Sequence, residues 1–172
     1  MPVETDFFRL FGLEPRFAID AGALESAYRR VQSQVHPDRY AAGSAAEQRV
    51  AMQWATVANE AYLTLRSPLK RAAYLCERHG HAIEAESNTA MPPQFLAQQL
   101  HWRESLDEAG AAGELKALQA DVDATRAHAL AALSTALDQT RDHARAAALV
   151  RQLMFIEKFA TEIAAATDAR VT

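Results

Sequence analysis

Apolar residues recur every three or four positions along most of the chain, and no stretch alternates as a half-buried strand would. Phe7, Phe8, Leu10 and Phe11 predict a short first helix, capped by Thr5 or Asp6 and stopped at Gly12. Asp20 caps a second helix whose stripe Leu24, Tyr28, Val31 and Val35 falls within about 60° of arc. Pro37 ends that helix, because the residue before a proline is pushed out of the α region. Ser44 and Glu47 form a capping box that opens a long third helix. Val50, Trp54, Val57, Ala58, Ala61, Tyr62 and Leu65 are its expected core positions. Ser67-Pro68 restarts the chain as N-cap and first helical residue. A fourth helix carrying Leu69, Ala72, Ala73, Tyr74 and Leu75 fades near Gly80.

From residue 80 to Pro93 the pattern dissolves into small and polar residues, which places a domain boundary there. Helices resume over 93–109, 113–139 and 142–167, with a turn at Gly110–Gly113 and a break near Arg141. The short connection makes the last two antiparallel, so the second half reads as a three-helix bundle. The expected fold is all-α, with domains at 1–79 and 93–172 and a linker at 80–92.

In the fifth helix Phe95, Gln99, Trp102 and Leu106 form the stripe that should bury. Leu96, Leu100, Glu104 and Glu108 run as an i, i+4 ridge largely off that stripe. Two leucines beside carboxylates on an outward ridge suggest a binding surface with an apolar centre and a polar rim. Leu149, Leu153, Ile156, Ala160 and Ile163 make the stripe of the last helix, and Phe155 lies about 120° away from it.

Composition narrows the function classes. Of 172 residues, 49% are hydrophobic and 23% charged, which argues against wholesale disorder. The net charge of −4 conceals two unlike halves. Residues 1–79 hold 10 Lys+Arg against 9 Asp+Glu, a net +1; residues 80–172 hold 8 against 13, a net −5. Neither half offers the general basic face that nucleic acid requires. The N-terminus has neither a basic n-region nor an apolar h-region, and nothing approaches the roughly 20 apolar residues that cross a bilayer. A single cysteine, Cys76, fits a reducing compartment and a core position. A soluble cytoplasmic protein without membrane contact is expected. Of the six histidines only His79 and His81 are close together, so no metal and no cofactor is expected.

The most specific feature is His36-Pro37-Asp38, set between two helices whose stripes can pack antiparallel. Proline stiffens the loop, so His36 and Asp38 are presented at low ordering cost, and Asp38 can offer its carboxylate to a partner arginine. Read blandly, the tripeptide is a helix end, a stop signal and a loop carboxylate. Read as chemistry, His36 serves a helical enzyme or phosphotransfer bundle, but no nucleophile or phosphate-binding motif accompanies it. The flanks decide between these. AYRRVQSQVHPDRY, VANEAYLTLRSP and KRAAYL resemble the J-domain of DnaJ-type co-chaperones across residues 5–79. That resemblance implies an antiparallel helical hairpin with the HPD loop and two short helices, docking on a DnaK-like chaperone and stimulating its ATPase. Arg29, Arg30, His36, Pro37, Asp38 and Arg39 match the docking positions.

The second half lacks the Gly/Phe-rich linker and CxxCxGxG repeats of general DnaJ proteins. FRLFGL near the start, HPDRY followed by AAGSAAEQ, and FLAQQLHWRESLDE after the linker resemble the HscB-type J-proteins. The resemblance implies a non-enzymatic co-chaperone that delivers the iron–sulfur scaffold IscU to the specialised chaperone HscA. Leu96, Ala97, Leu100, His101, Glu104, Glu108 and Phe155 fall at the scaffold-contacting positions. Ala97 and His101 depart from the bulkier apolar residue and the acid expected there, which implies a shallower, less acidic site. A J-domain co-chaperone for a different client is the alternative.

Overall fold

The computed structural model describes residues 5–84 and 91–171 and is helical throughout, with no strand among the described residues. The chain falls into two compact units divided after Leu75. In the first, α1 (Phe7–Phe11), α2 (Ala21–Val35), a 3₁₀ turn (Pro37–Tyr40), α3 (Ala45–Arg66) and α4 (Pro68–Arg78) follow in order, the division falling inside α4. In the second, α5 (Pro93–Glu108), α6 (Ala112–Ser134), a π turn (Thr135–Gln139) and α7 (His143–Val171) form the helical domain.

The caps set the helix starts. Asp6 Oδ1 accepts from the amides of Phe8 and Arg9, and Asp20 Oδ1 from those of Gly22 and Ala23. At Ser44 the box is reciprocal: Glu47 Oε2 accepts from the Ser44 amide at 2.7 Å, and the Glu47 amide donates to Ser44 Oγ. The first of these bonds holds the Glu47 carboxyl below its usual range. Gly12 stops α1 at φ 68°, a conformation that costs other residues a Cβ clash.

α2 and α3 pair antiparallel, since contacts descend along one as they climb the other. Tyr62 donates to Glu25, Tyr28 to Asn59, and Gln32 also reaches Asn59. Leu24, Ala27, Ala51, Ala58, Ala61 and Leu65 are buried between them, and Phe8 and Phe11 close one side. Val50 and Trp54 depart from the expected stripe, at 51% and 40% exposed. The buried face of α3 centres on its alanines and Leu65; the small alanine side chains let α2 approach, and Val50 and Trp54 stay outside.

In the second unit Trp102 is fully buried, stacked on Phe159 at 5.6 Å between ring centroids, and donates from Nε1 to Asp121 at 2.6 Å. One residue thus ties α5 to both α6 and α7. Arg103–Glu162 and Arg126–Glu157 pairs seam the outside. In α7 Leu153, Ile156 and Ile163 are buried as expected; Val150 and Phe159 join them, while Leu149 and Ala160 are half-buried. Ile83 is buried too, and its carbonyl accepts from Arg151 of α7; residues 85–90 of the expected linker lie outside the described residues.

Candidate functional site

Two exposed surfaces carry the candidate residues, one in each unit. The first begins where α2 loses its donors. The Ser33 carbonyl would accept from residue 37, but proline has no N–H. Arg39 supplies the missing donor through Nη1 at 2.8 Å. The Gln34 carbonyl would accept from Asp38, whose amide donates instead to His36 Nδ1 at 3.3 Å; Tyr40 Oη donates to Gln34 at 3.1 Å in its place. The Asp38 carboxylate lies 3.6 Å from the same His36 nitrogen. The loop is therefore braced against the helix end, while the Asp38 side chain is 91% exposed.

Arg29 and Arg30 are exposed on the adjacent face of α2, and Arg29 pairs with Glu25 one turn earlier at 3.0 Å. Pro37 opens the 3₁₀ turn. Arg39 is exposed, but its guanidinium is engaged with the Ser33 carbonyl, a role the motif alone does not suggest. This arrangement presents an open carboxylate, on a braced loop, beside cations. It suits charge-assisted recognition of a protein surface.

The second surface is α5. Leu96 and Leu100 are 49% and 61% exposed, and Ala97, His101, Glu104 and Glu108 are exposed beside them. Phe95 and Trp102, on the opposite stripe, are buried. A four-residue step advances the ridge about 40° around the helix, so its C-terminal end turns toward α6. There His101 and Glu108 line an open groove of about 470 Å³ with Ser105, Ala109, Glu114, Ala117, Leu118 and Asp121. Phe155 is half-buried, edge-on to Phe95 at 5.9 Å and stacked on Phe159, which sets its ring against the residue preceding Leu96. Met154, the residue before Phe155 on α7, is 40% exposed.

No group of three or more His, Cys, Asp or Glu residues among those described is arranged to hold a metal ion. His79 stacks on His143 at 4.0 Å, and burial lowers its pKa, helped by the charges of His143, Arg78, His81 and Arg141. Burial pushes the Cys76 thiol up to about 11. No helix of the described residues is long and apolar enough to cross a membrane.

Known proteins match both units. Residues 91–164 fit the family model described as the HSCB C-terminal oligomerisation domain. A co-chaperone protein HscB homolog of Ralstonia nicotianae is 56% identical over 164 residues, covering 94% of this chain and 93% of that protein. The structure of chaperone HscB from Vibrio cholerae superposes with a TM-score of 0.84 at 34% identity, over 96% of this chain and 99% of that one. Human co-chaperone protein HscB superposes with a TM-score of 0.89 at 28% identity, over 95% and 82%.

Proposed function

Because the chain belongs to the HscB co-chaperone family, we propose that it is a non-enzymatic adaptor of iron–sulfur cluster assembly. In this reading residues 93–172 hold the scaffold IscU, residues 1–79 dock on the DnaK-like chaperone HscA, and 80–92 join them, in the cytoplasm. The observation that carries the reading is the α5 ridge. Two leucines stay exposed among carboxylates on a helix whose other face buries Trp102 completely. With about half of each side chain in water, covering the two leucines is worth roughly 1–1.5 kcal/mol each, which a client surface recovers.

The braced loop supports the other half. Asp38 offers its carboxylate to a cation of the chaperone, and Arg29 and Arg30 face an acidic patch on it. Binding both partners raises the local concentration of client at the chaperone. Contact with the loop favours the arrangement in which the chaperone hydrolyses its own ATP. Asp38→Asn tests this half: stimulation of HscA ATPase is lost while IscU binding and the helical spectrum stay those of the wild type. Normal stimulation by that variant contradicts the mechanism.

A further inference from the structure

Beside the loop, the basic face of α2 carries its own counter-charge. Glu25 Oε1 accepts from Arg29 Nε at 3.1 Å and Nη2 at 3.0 Å. An exposed i, i+4 pair of this kind is ordinarily weak and exchanges freely with water. Here the carboxylate has a second anchor: its Oε2 accepts from Tyr62 Oη, across the hairpin on α3, at 2.5 Å. Tyr62 is itself held, stacked on Tyr28 at 4.2 Å and 14°, with the Arg66 guanidinium 5.8 Å from its ring centroid. The Tyr62 bond first, and Arg29 second, keep the Glu25 carboxyl below its usual range, so it stays charged at neutral pH. The Arg29 side chain remains 76% exposed within the pair. Arg30 has no side-chain partner among the described residues.

We propose that Glu25, pinned by Tyr62, is a selectivity residue of the chaperone-docking face. It holds Arg29 along α2 and sets a fixed negative charge where an acidic partner must approach. The inference rests on the reading that the α2 arginines meet an acidic protein surface. A carboxylate reaching for Arg29 then has to share it with Glu25, against like-charge repulsion, or displace Glu25 from it. A partner whose carboxylates match the held position, or that offers a donor to Glu25, overcomes this; a merely acidic surface does not. Specificity comes from a built-in repulsive element.

The test is Glu25→Gln, which keeps the length and an acceptor for Tyr62 but deletes the charge. It is assayed by the concentration of chain that half-maximally stimulates the ATPase of HscA and of a general DnaK. At about 50 mM salt the variant's half-saturating concentration is expected to fall roughly 3–10-fold for DnaK and less for HscA, narrowing the preference. The gain shrinks toward 0.5 M salt, where the Debye length is only a few ångströms. Tyr62→Phe leaves the net charge unchanged but frees the carboxylate, and is expected to narrow the preference with a smaller gain in affinity. A merely structural role would lower the melting temperature without changing the preference or its salt dependence. Wild-type preference and salt dependence in Glu25→Gln, or a raised half-saturating concentration, overturns the inference and leaves the docking reading standing. If the wild type stimulates neither chaperone, the docking reading fails and takes this inference with it.

Discussion

At the residue scale, Pro37 does more than end a helix. By withholding an N–H from the Ser33 carbonyl it creates the vacancy that Arg39 fills, and the Gln34 carbonyl takes Tyr40 for a related reason. The vacancy follows from proline chemistry and was legible in the sequence; which side chain would fill it was not, because that depends on the 3₁₀ turn. Replacing Arg39 with methionine should therefore speed amide exchange over residues 35–40 while leaving the rest of α2 protected. Uniform protection in that variant would show that the brace is dispensable. Cys76 gives a second prediction. With its thiol raised to about 11 by burial, it should resist iodoacetamide at pH 7 in the folded protein and react once unfolded. The linkage has a sign: above about pH 9 the unfolded thiol ionises first, so stability falls there, and Cys76→Ala should flatten that alkaline limb.

At the element scale, the caps and the two long hairpin helices could be read directly from sequence, because Asp6, Asp20 and the Ser44–Glu47 box act locally. The α5 ridge could be read too, since Leu96 and Leu100 fall off the stripe of Phe95 and Trp102. What periodicity misjudged was α3, where Val50 and Trp54 lie near the apolar arc yet remain exposed. Burial there depends on how closely the alanines of α3 admit α2, a tertiary property. Leu96→Ala and Leu100→Ala should weaken IscU binding several-fold while changing stability by no more than about 0.5 kcal/mol. Trp102→Ala should cost about 3–5 kcal/mol, because it empties a fully buried site, while Asp121 keeps its bond from Gln98. A calorimetric melt of the three variants separates the outcomes; equal losses of stability would mean that the leucines are core. At the α3 cap, the lowered Glu47 carboxyl contributes stability that is present above its ordinary value of 4.5 and disappears as pH falls through the depressed one. Glu47→Gln should lie below the wild type at pH 7 and converge with it in acid.

At the scale of the whole molecule, the net charge of −4 averages a near-neutral half carrying outward arginines and an acidic half carrying a leucine–glutamate ridge. The two-part helical plan was legible because the apolar rhythm stops after residue 80 and resumes at 93. The second unit nevertheless starts earlier, at Cys76, and Ile83 is bonded to Arg151, because a single buried apolar residue outside a helix leaves no periodic signal. In the proposed function the chain links client to chaperone. The most direct test of that link is HscA ATPase measured at limiting chain concentration while IscU is titrated in, comparing the wild type, Asp38→Asn, and the combined Leu96→Ala, Leu100→Ala, Phe155→Ala variant. IscU is expected to enhance stimulation by the wild type; the combined variant stimulates without that enhancement, and Asp38→Asn does neither. Undiminished enhancement in the combined variant, or stimulation by Asp38→Asn, would contradict that link.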